Sequence, residues 1–258
     1  MNPELQERIH TLWDELADMD ATRSDAVADH VMIGLCELVE AQNAVWVGSV
    51  HLGGDFPDDP VKGWRAPVVR YLYPTRSLEG IAREQAKDLH RGVADATTIA
   101  NVAGAGRFRA NRLRDLVPDE WFSSDFYQHY YLGMGRSDAV FVAFPVNEDA
   151  ESWFGVFREV GKPAFTADER DTLAYALRGI KWFHRQLMLS HGLLIASKPL
   201  TPAERRVLQL LLSRASEKEI SHNLGLTANS VHQYVVSVFR KFGVNSRAAL
   251  MSLWLGAT

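Results

Sequence analysis

Three helix-start signals stand close together near the C-terminus, and they limit what that part of the chain can become. Thr201-Pro202-Ala203-Glu204 has a capping hydroxyl, a proline at the first helical position and an acid three residues after the cap. Ser216 and Glu219 repeat the device, and Thr227 opens a third helix just after the turn at Gly225. Val207, Leu208, Leu211 and Leu212 give the first helix an apolar face, and Ile220 and Leu224 face inward on the second. Val231, Val235, Val238 and Phe242 make the buried stripe of the third, with Tyr234 at its edge. The spacing predicts an all-α bundle over residues 200–258.

The third helix has a second face with no apolar partner. Asn229, His232, Gln233, Val236, Ser237, Arg240 and Lys241 lie on it, and Thr227 and Ser230 stand at its N-terminal end. Amide side chains pair bidentately with adenine, and valine meets a thymine methyl. Arginine and lysine suit phosphates, which fix position but not sequence. Two helices joined by a tight glycine turn, the second of them two-faced, form a helix-turn-helix, and its free face suits the major groove of double-stranded DNA. Charge agrees with this reading. From Leu200 onward seven Lys and Arg stand against three Glu, whereas the whole chain has 28 bases and 32 acids. A basic module therefore follows an acidic body.

Leu200-Thr201-Pro202-x-Glu204, Lys218-Glu219-Ile220, Leu224-Gly225, Ser230-Val231, Val238 and Lys241-Phe242-Gly243-Val244 resemble the LuxR/FixJ-type DNA-binding domain. Asn245-Ser246-Arg247 resembles the entry to that family's fourth helix, which commonly forms the dimer contact. The resemblance implies a four-helix DNA-binding domain acting as a homodimer. The chain departs from the family at His232, where lysine is usual, at Tyr234, where histidine is usual, and at Ala215, near a frequent glycine. Loss of one cation implies a different operator preference.

The first 165 residues read as α+β. Residues 3–17 and 25–40 have helical spacing, while 44–52 and 66–73 are β-branched and aromatic runs. Ser77 is expected to cap a helix that Gly92 stops, and Pro118-Asp119 opens another short one. Residues 138–146 and 152–160 read as a hairpin around Asn147-Glu148-Asp149-Ala150-Glu151. The expected fold is an antiparallel sheet with flanking helices. The paired strands, followed by Pro163-Ala164-Phe165-Thr166-Ala167-Asp168-Glu169, resemble a GAF or PAS-like sensor domain. Such sheets hold small ligands between the sheet and its helices. Trp46, Tyr71, Trp121, Phe126, Tyr130 and Trp153 are the aromatic candidates for lining a pocket, and each also suits the plain core.

Residues 166–199 read as a coupling helix and linker. Thr166 and Glu169 have capping-box spacing, and Leu173, Leu177, Ile180, His184, Leu187, His191 and Leu194 step four-three-four-three. The early part of this stripe suits packing on the sheet. The later part, Ile180, His184, Leu187, His191 and Leu194, is expected to pair two copies, with its histidines as pH-sensitive groups. Ala196-Ser197-Lys198-Pro199 reads as the linker.

Other chemistry is excluded by pattern. No apolar run reaches the length of a membrane span, and the acidic N-terminus has no signal-peptide core. A lone cysteine, Cys36, among apolar helix residues suits a reducing cytoplasm and an inert thiol. The glycines of 102–108 match no phosphate loop, and neither HExxH nor GxSxG occurs, so no enzyme, metal or cofactor is expected. The chain reads as a one-component DNA-binding regulator whose first domain senses a small molecule or a partner. Two variants stay open. One is an acyl-homoserine-lactone receptor, of whose Asp-Pro-Trp pattern Asp59-Pro60 is the nearest fragment. The other is control by a protein partner with no small ligand.

Overall fold

The computed structural model describes residues 2–20, 23–52, 56–91, 93–193 and 200–255, with the side chains at 76, 77, 82, 86 and 90 outside that description. Gly92, Leu194 and the linker 196–199 lie outside the described residues. The chain forms two compact units, Met1–Asp18 with Ala28–Lys181, and Met19–Val27 with Trp182–Thr258. No described helix is long and apolar enough to cross a membrane.

The first unit is built on five antiparallel strands, β1 (Asn43–His51), β2 (Trp64–Tyr71), β3 (Arg109–Arg112), β4 (Arg136–Asn147) and β5 (Ala150–Glu159), in the order β2-β1-β5-β4-β3. The expected hairpin is β4 and β5, joined by a tight turn, and β5 then pairs with β1 from Asn43↔Phe157 to Val50↔Ala150. This is the α+β class read from the sequence. Helices α1 (Pro3–Asp18), α2 (Ser24–Leu38), α3 (Arg76–His90), α4 (Ala96–Val102), α5 (Leu113–Leu116) and α6 (Asp125–Tyr130) accompany the sheet, with 3-10 turns at Asp119–Ser123 and Leu132–Met134. Thr75, not Ser77, caps α3, accepting from Leu78 N. Helix α4, strand β3 and helix α5 are too short to leave a periodic signal in the sequence. Cys36 is buried, and burial followed by the nearby Glu37 pushes its thiol up to about 12, which leaves it unreactive.

The expected long helix from Thr166 is two helices, α7 (Ala167–Arg178) and α8 (Lys181–Ser190). Its start is as read: Thr166 and Glu169 make both bonds of a capping box. The break coincides with a tertiary contact. The Trp13 indole N–H donates to Ala176 O at 2.8 Å, taking a carbonyl that would otherwise serve the next helical turn. Gly179 lies directly beneath that indole, and a β-carbon there would come within 2.3 Å of the ring. Ile180, His184, Leu187 and His191 are all buried within a single chain.

The second unit holds α9 (Pro202–Leu211), α10 (Glu217–Leu224), α11 (Ala228–Phe242) and α12 (Arg247–Leu255) around one apolar core. Val207, Leu208, Leu211, Ile220, Val231, Val235, Val238 and Phe242 are buried in it as their spacing predicts, joined by Leu250 and Trp254 from α12. Both capping boxes form, at Thr201–Glu204 and Ser216–Glu219, and Thr227 accepts from Ser230 N. Gly225 is left-handed at φ 62°, which closes the α10–α11 turn without the steric penalty a β-carbon would bring. The same unit includes Asp25, whose carboxylate pairs with Arg205 at 2.6 Å.

Candidate DNA-binding face and ligand cavity

Helix α11 is divided as its sequence requires. Val231, Val235, Val238 and Phe242 are buried, while Thr227, Asn229, His232, Gln233, Val236 and Arg240 are exposed. Positions 229, 233, 236 and 240 step along one side of the helix, so these side chains share a stripe. Ser230 is half-buried, and its hydroxyl lies 2.8 Å from that of Thr227. His232 Nδ1 sits 3.3 Å from Glu217 Oε2 on α10, an exposed pair.

Ser237 and Lys241 differ from the rest of this set. The Ser237 hydroxyl donates to Glu204 Oε1 and the Lys241 ammonium to Glu204 Oε2, each at 2.7 Å. Glu204 Oε2 also accepts the Thr201 N–H of its capping box at 2.7 Å. Burial alone would raise the Glu204 carboxyl, but the bonds from Lys241, Thr201 and Ser237 outweigh it and hold it at about 2. Two residues read from the sequence as facing DNA thus tie α11 to α9. The signal for this was the capping-box acid itself, because a helix-start Glu that is also buried needs a cation nearby.

Arg247 does comparable work from α12. Its guanidinium donates to Leu211 O and Ala215 O at 2.7 Å each, and also to Ser213 O. These are carbonyls at the end of α9 and in the turn before α10, so one side chain fixes the turn that aims the helix pair.

Residues 198–254 match the model described as bacterial regulatory proteins, luxR family. This segment is a luxR-family domain. The match agrees with the order of the motifs along residues 200–247 and with the two-faced α11. No curated protein matches the chain. Among solved structures, the chain is similar to the crystal structure of Escherichia coli SdiA, 14% identical, covering 97% of this chain and 96% of that one, with a TM-score of 0.47. It is similar to SdiA in complex with octanoyl-rac-glycerol at 13% identity, covering 100% and 96%, with a TM-score of 0.46. The LBD domain of VqsR from Pseudomonas aeruginosa is 14% identical, covering 73% of this chain and 98% of that one, with a TM-score of 0.47.

Away from the luxR-family domain, the first unit has a partly open cavity of about 350 Å³ between its sheet and α3, α4 and α6. Side chains alternate along a strand, so Val45, Val47 and Ser49 of β1 face the cavity while Trp46 points to the other side. The register carries that face across the sheet, with Val45 opposite Tyr71 and Val47 opposite Val69. Gly155 lies opposite both Val45 and Phe141. A β-carbon at Gly155 would come within 3.0 Å of Val45 and 3.2 Å of Phe157, so glycine keeps the floor clear.

Four of the six aromatic candidates line this cavity: Tyr71, Phe126, Tyr130 and Trp153. Trp46 does not. It is fully buried on the opposite face, with its indole N–H on Ser152 Oγ at 2.9 Å. Trp121, within the 3-10 turn Asp119–Ser123, packs instead with Phe122, Phe126, Tyr127 and Tyr131. Residue type alone points to both, whereas strand alternation from Val45 and Val47 excludes Trp46. The same alternation would have found Phe141 and Phe157.

The polar groups behind the wall, which hold its lining residues Trp153 and Arg65, carry no signal in the sequence. Trp153 is held by Glu151, which is fully buried, accepts its indole N–H at 2.8 Å, and pairs with both Arg109 amino groups at 2.8 Å. The Arg109 guanidinium also stacks 4.7 Å over the Trp153 ring. Arg65 pairs with Asp59 at 2.7 Å, and Asp59 also accepts from Val61 N and Gly63 N. Burial works to raise the Asp59 carboxyl, but the bonds from Arg65, Gly63 and Val61 hold it below its ordinary value. The Asp59-Pro60 fragment is thus a loop anchor whose carboxylate is already engaged.

Proposed function

We propose that the chain is a one-component, non-enzymatic transcription regulator of the cytoplasm that binds double-stranded DNA as a homodimer and is controlled by a small molecule in the first unit. The luxR-family domain supports the DNA-binding half of this reading, with Asn229, His232, Gln233 and Val236 aimed at base edges and Arg240 at phosphate. The observation that carries the sensing half is the cavity of about 350 Å³, which is within the range of small-ligand sites and is floored by apolar side chains. Occupancy shifts the population of dimer geometries and so the spacing of two recognition helices, which must match half-sites roughly 34 Å apart. Pairing is assigned to α12, where Leu255 is 81% exposed, rather than to the buried stripe of α7 and α8.

A native mass spectrum of the full chain after mild purification tests the reading. A dimer carrying a discrete extra mass per subunit is the expected result. A bare monomer that stays monomeric on duplex DNA would count against both pairing and ligand.

A further inference from the structure

The cavity wall carries four charged side chains, Arg65, Asp88, Asp95 and Arg136, and three of them are accounted for by neighbours. Arg65 has Asp59 at 2.7 Å. Asp95 caps α4, accepting from Thr97 N at 2.8 Å, from the Thr98 hydroxyl at 2.6 Å, and from the Thr97 hydroxyl. Asp88 is 35% exposed and has Arg91 at 3.8 Å.

Arg136 is different. It is 8% exposed, and no carboxylate lies within 4.0 Å of it among the described residues. Its cross-strand partner Glu159 is exposed and does not reach it. Nε and Nη2 both donate to Tyr130 O, at 3.0 and 2.7 Å, and Nη1 makes no hydrogen bond among the described residues. The guanidinium lies against two ring faces, 4.7 Å from the Tyr131 centroid and 4.3 Å from that of Phe157. Ring faces and a carbonyl hold the group in place, but they supply no counter-charge. A buried cation without one is costly, and buried charges are ordinarily paired.

We infer that the cavity takes an amphipathic carboxylate, with its anionic end on Arg136 and its apolar body on Val45, Val47, Val69 and Phe141. The inference rests on the small-molecule reading above and adds the ligand's chemical class. A carboxylate supplies the missing charge and accepts from Nη1 in a charge-assisted bond. The apolar floor excludes water around that bond, which strengthens it. The carboxylates of Asp88 and Asp95 on the α3 and α4 side disfavour a second negative group, so a single charged end fits.

The test uses the full chain and a series of straight-chain carboxylates from hexanoate to dodecanoate, each beside its methyl ester and its primary amine. Binding is followed by titration calorimetry at neutral pH and by the fluorescence of Trp64 and Trp153, which line the cavity. At the best chain length the carboxylate is expected to bind at least about tenfold more tightly than its ester, as a hydrogen-bonded charge pair requires. Arg136→Gln should erase that difference, and Arg136→Lys should keep part of it. An ester as tight as the acid, or a preference for the amine, overturns the inference and leaves the small-molecule reading standing. Binding of none of the series overturns both. The comparison in the unmutated protein decides the matter even where an Arg136 variant does not fold.

Discussion

The Lys241 ammonium and the Glu204 carboxylate meet at 2.7 Å, joining the last turn of α11 to the first turn of α9. Glu204, itself buried, is at once the acid of a capping box and the counter-ion of a half-buried lysine, so a single side chain sets both the start of one helix and the docking of another.

This geometry separates two cations that look alike in the sequence. Arg240 is exposed, and its replacement by alanine should lower the salt slope of binding to a random-sequence duplex by about one unit. Lys241→Ala should leave the slope nearly unchanged and instead destabilise the domain, by about 3 kcal/mol for a buried charge left without its partner. Fluorescence anisotropy across a salt series reads the first effect, and hydrogen exchange of α9 and α11 reads the second. Equal slope losses for both variants would return Lys241 to the phosphate set.

Acid should loosen the same joint. The Glu204 carboxyl titrates at about 2 in the folded domain against an ordinary value of 4.5. As pH falls, the unfolded chain therefore takes up this proton first. The stability from this group is complete above roughly pH 5 and is lost as pH drops toward about 2, a change of order 3 kcal/mol. Glu204→Gln should be less stable at neutral pH and should show a flatter loss of α9 and α11 protection over that acid window. A variant with the acid profile of the unmutated domain would remove Glu204 from the account.

Gln233→Ala should act by sequence rather than by salt. Loss of a bidentate amide costs about 1–3 kcal/mol at the base pair it reads. Duplexes selected by the unmutated protein should lose affinity at one or two positions, with non-specific binding unchanged. A uniform loss over scrambled duplexes would show that Gln233 does not read bases.

Gly179→Ala should destabilise the first unit. Its new β-carbon would lie 2.3 Å from the Trp13 ring, and relieving that overlap costs about 1–3 kcal/mol. Denaturant unfolding of the variant with and without Trp13→Leu checks the coupling, because the smaller side chain should recover part of the loss. Additive losses would mean that the two residues do not meet.

Leu187→Asp tests the stripe. Leu187 is buried in the single chain, so an aspartate there should lower stability by several kcal/mol rather than merely separate a dimer. A stable, folded monomer from this variant would show that the residue serves pairing after all.

Much of the C-terminal domain was determined by sequence alone. Capping residues, the apolar period and the Gly225 turn are local signals, and each acts within four residues of its own position. The start of α7 at Thr166 and the β4–β5 hairpin were legible for the same reason. What only the tertiary structure decided involves partners far apart in the chain. Trp13 breaks the long helix at Gly179 from more than 160 residues away, and Glu204 turns Lys241 and Ser237 from the expected DNA face toward α9. The cavity of the first unit is of the same kind. Residue type pointed to aromatics, but the face that each strand turns inward and the charges that meet there depend on register between β1, β2, β4 and β5. Arg136 carries no mark in the sequence, because a missing counter-ion becomes visible only once every neighbour is in place.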